Sequence, residues 1–136
     1  MKYKYTTYLP DDRGKFIKRP MVEIDIFGPK GNLKQLALLD SGADRSVFNL
    51  EIAKYLGVDL SKNKISEITG ITGKTKVFVV YDVEIKVEYL GAIKIPVGFI
   101  DSPYVGALLG QEGFFDANKI KFEKDHNTFE INTVKK

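Results

Sequence analysis

Apolar and polar residues alternate along much of this 136-residue chain, in short runs separated by glycine-containing turns. A period of two places successive side chains on opposite faces of a strand, so one face is buried and the other is wet. Met21 to Phe27 (MVEIDIF) shows this alternation most clearly. Gly28 to Asn32 then turns the chain into a second apolar run, Leu33 to Leu39. The pattern predicts a β-hairpin here and a mostly β chain.

The same criterion predicts most of the remaining elements. Further strands are expected at Lys2 to Leu9, Lys15 to Arg19, Lys64 to Thr69, Lys74 to Tyr81, Val83 to Tyr89, Ala92 to Ile100, Ile120 to Glu123 and Thr128 to Ile131. A short helix is expected after Asn49, a favourable N-cap, and before Gly57, which supplies a left-handed stop. A second helix is expected from Gln111 to Ala117, after an apolar strand that breaks at Gly110.

No linker, repeat or low-complexity segment interrupts the chain. We therefore expect one domain over residues 1–136, with an N-terminal extension at 1–19 and a C-terminal hairpin at 118–134. A chain of this length buries a core without covalent staples.

Composition narrows the possible functions. The absence of cysteine excludes disulfides, thiol catalysis and zinc–thiolate sites, and it fits a reducing compartment. The formal charge of +3 is spread along the chain, and its few arginines do not cluster, so nucleic-acid binding is not expected. No apolar run approaches the length of a membrane span, and the N-terminus lacks the apolar region of a signal peptide. A soluble cytoplasmic protein without membrane association is the expectation.

The segment LALLDSGADRSVF, Leu36 to Phe48, carries the candidate chemistry. In this segment an apolar strand is followed directly by Asp40, and the chain is expected to turn at Ser41 and Gly42. A glycine here permits a sharp turn whose amide groups point back at the carboxylate, which keeps Asp40 oriented and ionisable. The Ser41 hydroxyl offers a further hydrogen bond.

Such a carboxylate suits aspartic-protease chemistry, which needs two carboxylates facing one water molecule. Two charges about 3 Å apart, at an effective dielectric constant of about 20, repel by about 5 kcal/mol. The pair therefore holds one proton near neutral pH, and titration belongs to the dyad as a unit. This chain contains the constellation once, so a protease would require two copies related by a two-fold axis.

Other interpretations of these residues stay open at this point. Asp-Ser-Gly is also common turn chemistry, and a glycine-rich loop between strands is also an ordinary hairpin. Asp40 and Asp44 as metal ligands lack a third partner nearby in sequence. His126 lies in a polar turn and is expected to be exposed to solvent.

Three segments together resemble one family, the retropepsin-like aspartic proteases, over about residues 20–115. Leu38 to Asp44 (LLDSGAD) is similar to the apolar-apolar-Asp-Thr/Ser-Gly-Ala signature of that family. Thr69 to Gly73 (TGITG), followed by a strand, is similar to its glycine-rich flap. Ala107 to Gly110 (ALLG) is similar to the apolar-apolar-Gly segment before its C-terminal helix. The resemblance implies an all-β, retropepsin-like acid protease barrel with one or two short helices and one lobe per chain.

The resemblance also implies roles for individual residues. Asp40 is the expected catalytic residue, and Ser41 and Gly42 complete the active-site loop. The flap tip is expected at residues 68–74, and the substrate is expected to lie extended between the flap and the floor of the cleft. The expected substrate-binding residues are Ala43, Asp44, Val47, Gly70, Ile71, Thr72, Gly73, Val97 and Leu108.

The expected function is that of a homodimeric aspartic endopeptidase that acts on an extended peptide or protein, without a metal or organic cofactor. The alternative is a catalytically silent module of the same fold that dimerises or binds peptides. Three departures from the family leave this choice open. Gln111 stands where retroviral members often carry an arginine, the stem of the expected flap is rich in lysine, and the termini differ from those of retroviral members. Ser41 also stands where threonine is commoner, a replacement that the family accepts.

Overall fold

A computed structural model describes residues 1–61, 64–70 and 73–134. Strands make up 59% of it, which confirms the all-β expectation. The strands are β1 (Lys2–Lys4), β2 (Thr6–Pro10), β3 (Phe16–Arg19), β4 (Met21–Gly28), β5 (Gly31–Leu39), β6 (Ser46–Asn49), β7 (Lys64–Gly70), β8 (Gly73–Val87), β9 (Ala92–Ile100), β10 (Ala107–Leu109), β11 (Asn118–Glu123) and β12 (Thr128–Thr133). The helices are α1 (Leu50–Leu56), α2 (Phe114–Ala117) and a 3-10 turn (Lys124–His126).

Six strands form a closed barrel in the order β4, β5, β10, β6, β9 and β8. Pairing of β4 with β8 closes the ring, with Ile24 opposite Val87 and Ile26 opposite Ile85. β4 alternates between buried and more exposed residues. Its two isoleucines point into the barrel and are almost fully buried. The barrel thus leaves few unpaired strand edges.

Strand β10 lies in the barrel wall between two strands that precede it in the chain, β5 and β6. β10 pairs parallel with β5 on one side and antiparallel with β6 on the other. β6, which the alternation pattern did not predict, is also parallel to β9. As a result, the C-terminal end of β5 is flanked by β10, which comes from a segment about 70 residues later in the chain.

The β4–β5 hairpin is confirmed, and so is the hairpin of β11 and β12. The expectation of two separate strands at Lys74 to Tyr81 and Val83 to Tyr89 was wrong. They form the single strand β8, because a bulge between Val80 and Val83 bends the strand without ending it.

The helices follow their caps. Asn49 accepts a hydrogen bond from the Glu51 amide, and Gly57 ends α1 with a φ of 70°, as expected. The helix expected from Gln111 to Ala117 is shorter and begins only at Phe114. The reason is Gly113, whose φ of 84° lies outside the right-handed helical region, so no helix runs through it from Gln111.

The two ends of the chain lie together in a separate sheet, which we call the terminal sheet (β1, β12 and β11). The strand expected at Lys2 to Leu9 is divided at Tyr5, so that β1 pairs with β12 while β2 pairs only with β3. Tyr5 and Phe129 pack edge to face with ring centroids 5.4 Å apart and are both buried. Among the described residues, no helix combines the length and the apolar character that a membrane crossing needs.

Candidate active site

Asp40 follows directly on the buried end of β5. The main-chain amide of Leu39 donates to the Pro20 carbonyl at 3.0 Å, and that of Asp40 donates to the Leu109 carbonyl at 2.9 Å. Leu39 is buried, whereas Asp40 is half-buried and Ser41 is exposed. The strand therefore delivers the carboxylate to a surface from a fixed position between two neighbouring segments.

The turn after Asp40 orients its carboxylate. The amide of Gly42 donates to Asp40 Oδ1 at 3.0 Å, and the amide of Ala43 donates to the Asp40 carbonyl at 3.1 Å. A Cβ atom on residue 42 would lie 3.3 Å from the same carboxylate oxygen. Glycine at position 42 thus allows a close, directed hydrogen bond to the carboxylate, as the sequence predicted.

A second segment, Gln111 and Glu112, forms hydrogen bonds with the backbone of the loop that follows Asp40, residues 41–44. The amide of Gln111 donates to the Ala43 carbonyl at 2.8 Å, and the amide of Glu112 donates to the Asp44 carbonyl at 2.9 Å. The side-chain amide of Gln111 donates to the Ser41 carbonyl at 2.8 Å. These three bonds hold the backbone of residues 41–44 in one conformation.

Gly110 allows that support because no side chain fits there. A Cβ on residue 110 would lie 2.6 Å from the carbonyl carbon and oxygen of Arg45 and 2.7 Å from the Ala43 oxygen. The amide of Gly110 donates to the hydroxyl oxygen of Ser46, which is fully buried, at 3.0 Å. The apolar-apolar-Gly segment is thus a packing requirement of this loop.

A charged pair beside the loop was not found from the sequence. Arg45 Nε lies 3.1 Å from a carboxylate oxygen of Glu112, and its guanidinium lies 5.8 Å from the centre of the Tyr81 ring. Both pairs join residues far apart in the chain, and neither has a local signature, so no signal in a single sequence identifies them. This pair lies within one chain, next to Gln111.

The sequence predicted Asn49 as a helix cap, and the structure shows that its side chain has a second role. Its side-chain nitrogen donates to the carbonyls of Ser102 and Val105 at 2.8 and 2.9 Å. Its main-chain amide donates to the Gly106 carbonyl at 2.8 Å. One residue therefore fixes both the start of α1 and the loop that leads into β10.

The expected substrate-binding residues occupy different environments. Ala43 is half-buried and Asp44 is exposed in the Asp40 loop, whereas Val47 and Leu108 are half-buried neighbours on β6 and β10. Val97 is fully buried in the core of the barrel. The side chain of Val97 has no accessible surface in this structure, whereas those of Val47 and Leu108 are partly exposed.

The expected flap coincides with the hairpin of β7 and β8. Its strands pair from Lys64 opposite Val79 to Gly70 opposite Gly73. Ile71 and Thr72, the expected centre of the flap tip, lie outside the described residues. The structure thus gives the hairpin backbone on either side of the tip.

Nothing in the described part of the chain forms a group of three or more His, Asp or Glu residues suited to a metal ion. Asp40 and Asp44 accordingly have no third acidic partner among those residues. The His126 side chain is exposed in the turn between β11 and β12, as the sequence indicated. Its neighbours there are the carboxylates of Asp125 and Glu123.

A surface pocket of about 470 Å³ lies elsewhere, between the β4–β5 turn, the end of α1 and the bulge of β8. Residues of all three segments line it, among them Phe27, Val58 and Val83. None of the expected site residues contributes to it. The pocket is also lined by the acidic residues Asp59, Asp82 and Glu84, but Asp40 is the carboxylate that follows a buried strand end and accepts a directed main-chain amide, as expected of the candidate site.

A closed six-stranded barrel that presents one Asp-Ser-Gly turn at the end of a buried strand is the architecture of one lobe of an aspartic protease. The sequence profile of a family described as "Aspartyl protease" matches residues 22–112, well over half of the chain. The chain therefore belongs to the aspartyl protease family and is of the retropepsin-like type. No match was found among curated proteins.

Proposed function

We propose that two copies of this chain form an aspartic endopeptidase and that each copy contributes Asp40 to one catalytic dyad. The observation that carries the proposal is the hydrogen bond from the Gly42 amide to the Asp40 carboxylate, in the turn that leaves the buried end of β5 for the surface. Membership of the aspartyl protease family supports a peptidase. The presence of a single Asp-Ser-Gly turn in the chain supports a site shared between two chains.

The chemistry follows from two carboxylates that share one proton. The ionised Asp40 accepts a proton from a bound water molecule as the water oxygen attacks the peptide carbonyl carbon. The protonated Asp40 of the other copy donates to the carbonyl oxygen, which gives a neutral tetrahedral intermediate. The Asp40 that took the water proton then donates it to the leaving nitrogen, while the other Asp40 takes a hydroxyl proton from the intermediate. The C–N bond breaks, an amine and a carboxylic acid are released, and the dyad again holds one proton.

Support for substrate binding comes from the surroundings of Asp40. Half-buried Leu108 lies beside the end of β5, and half-buried Val47 lies opposite Leu108 on the next strand, so we propose that the side chains next to the cleaved bond are apolar. The β7–β8 hairpin acts as the flap in this proposal and covers an extended peptide with main-chain hydrogen bonds. Cleavage restricted to charged sites in a peptide library would contradict this part.

We also propose a cytoplasmic location, since a chain without cysteine suits a reducing compartment.

The test is cleavage of a peptide library across about pH 4 to 7, since a carboxylate dyad loses its shared proton as the pH rises. Wild type is compared with Asp40→Asn and with the matched control Asp125→Asn, whose carboxylate is exposed in the turn between β11 and β12. We expect acid-favoured cleavage by wild type and by the control, and none by Asp40→Asn. Specific activity should fall on dilution as the dimer dissociates.

Mixing the proteins tests whether the site is shared. With the wild-type concentration held constant above the dimer dissociation constant, an equal amount of Asp40→Asn should lower activity to about half, since mixed dimers carry one aspartate. Asp125→Asn added in the same way should not lower it. Unchanged activity on mixing with Asp40→Asn would contradict a shared dyad. A folded dimer that binds peptides and never cleaves them would instead be a binding module.

A further inference from the structure

The β2–β3 hairpin stands apart from the barrel. It forms its own two-stranded sheet, and no other helix or strand in the described ranges packs extensively against it. Every residue from Thr7 to Arg19 is exposed except Asp11, which is half-buried. We call this segment, residues 6–19, the arm. An isolated two-stranded hairpin is marginally stable in water, so the arm lacks the packing that normally stabilises such an element.

The arm exposes large apolar side chains on both of its faces. Leu9 is 86% exposed and Phe16 is 65% exposed, and Tyr8 and Ile17 are also exposed. Neighbouring residues of a strand point to opposite faces, so Phe16 and Ile17 cannot both be covered by one contact with the barrel. Apolar groups clustered on a projecting element mark an interaction surface.

The tip of the arm is ordered by its own hydrogen bonds. The Asp11 carboxylate accepts from the amides of Arg13 and Lys15 at 2.9 and 3.0 Å, and the Asp11 amide donates to the Lys15 carbonyl at 2.8 Å. The bonds from the Lys15 and Arg13 amides also lower the pKa of Asp11. A turn held in this way presents Leu9 and Phe16 in a fixed arrangement, which reduces the entropy lost on docking.

The arm is anchored to the rest of the protein at both of its ends. At one end, the Tyr5 amide donates to the Asn127 carbonyl at 3.1 Å on the terminal sheet. At the other end, the Pro20 carbonyl accepts from the amide of Leu39 at 3.0 Å. Leu39 immediately precedes Asp40, so the base of the arm lies beside the candidate active-site loop.

We infer that the arm docks on a second copy of this chain, where Leu9 and Phe16 are buried against the partner. The inference rests on the proposed function, in which two Asp40 carboxylates lie about 3 Å apart. The two-fold axis then passes beside the Asp40 loop, and an arm that starts next to Leu39 borders the partner. Two-fold symmetry makes the contact reciprocal, so each copy receives the arm of the other.

The first test measures the dimer dissociation constant by sedimentation. The variant is the double substitution Leu9→Ser with Phe16→Ser. The matched control is Tyr55→Ser on α1, where the aromatic side chain is 66% exposed, nearly the same as Phe16. We expect the arm variant to raise the dissociation constant about tenfold or more, since buried aromatic anchors dominate interfaces, and the control to leave it unchanged. Thermal unfolding confirms that both variants are folded.

The second test identifies what the arm touches. A photoreactive benzoylphenylalanine replaces Phe16 in an isotopically light chain, which is mixed with an unmodified heavy chain, and products are mapped by mass spectrometry. Cross-links between light and heavy chains support the inference. Cross-links confined to one chain, formed only with added peptide, or absent from a verified dimer would overturn it.

The outcomes separate this inference from the proposed function. A cleaving dimer whose dissociation constant is the same in the arm variant would overturn the arm contact and leave the protease standing. An arm-dependent dimer that never cleaves peptides would leave the arm contact standing and contradict the protease. A chain that stays monomeric at every concentration would overturn both.

Discussion

The side-chain amide of Gln111 donates a hydrogen bond to the main-chain carbonyl of Ser41 at 2.8 Å. A neutral side chain thereby ties the residue after Asp40 to the segment that follows β10. The nearby charged pair, Arg45 with Glu112, joins the same two segments. Within this chain, the loop that carries Asp40 is thus supported by a neutral side chain at position 111 and by the Arg45–Glu112 pair.

Gln111→Glu should weaken the loop, because an ionised glutamate has the same shape but cannot donate to the Ser41 carbonyl. We expect the free energy of unfolding to fall by about 1–2 kcal/mol, the cost of one lost hydrogen bond with an unfavourable charge beside a carbonyl. In the cleavage assay, kcat should fall about tenfold as Asp40 loses its fixed position.

The control for that variant is Gln35→Ala, which removes a side-chain amide that donates to the carbonyl of its own neighbour, Leu36. Its kcat should match that of wild type. Equal kcat values for Gln111→Glu and wild type would show that the Ser41 contact does not position the catalytic loop.

Gly110→Ala tests the close approach of β10's end to the active-site loop. The added Cβ would meet main-chain atoms of Arg45 and Ala43 at 2.6–2.7 Å, and backbone cannot rotate away as a side chain can. We expect a loss of about 1–3 kcal/mol in the free energy of unfolding, measured by urea denaturation. Gly91→Ala is the matched control, because nothing lies within 4 Å of its added Cβ. Similar stabilities of the two variants would contradict the tight packing at Gly110.

The local features of this fold were predictable from the sequence, and the long-range ones were not. The alternation of β4 and the caps of α1 at Asn49 and Gly57 depend only on neighbouring residues, so the amino-acid sequence alone predicts them. The Asp-Ser-Gly turn is local in the same way. β6 has only four residues, and its identity as a strand depends on β9 and β10, which follow much later.

The same reasoning explains the misplaced features of the candidate site. Val97 was expected to line the cleft, and its complete burial could not be predicted, because only the closed barrel determines which strand residues point inward. Gln111 was expected to begin a helix, whereas its amide and side chain bind a loop about 70 residues earlier. Which side of a strand faces a site is a property of the assembled sheet.

Two substitutions at Asn49 separate its two roles. Asn49→Ser keeps an N-cap for α1 but removes the donor to the carbonyls of Ser102 and Val105, so the unfolding free energy should fall by about 1–2 kcal/mol. Asn49→Ala removes the cap as well and should cost about 1 kcal/mol more. Urea denaturation measures both. Identical stabilities for the two variants would mean that the Glu51 amide gains nothing from the cap.

Tyr3 makes stability depend on alkaline pH. Burial, reinforced by the nearby Glu88 charge, raises the pKa of Tyr3 to about 12, and its hydroxyl donates to the Glu88 carbonyl at 2.6 Å. The unfolded chain loses this proton near the ordinary tyrosine value of about 10, while the folded chain keeps it. The unfolded state then binds fewer protons, so stability falls as pH rises between these two values.

Tyr3→Phe should remove this part of the pH dependence, since phenylalanine has no proton to release. We expect a shallower decline in unfolding free energy between about pH 10 and 12 than in wild type. Tyr104→Phe is the control, because it also removes one tyrosine hydroxyl, but from a side chain that is 94% exposed. Parallel declines in wild type and Tyr3→Phe would show that the hydroxyl of Tyr3 ionises alike in the folded and unfolded chains.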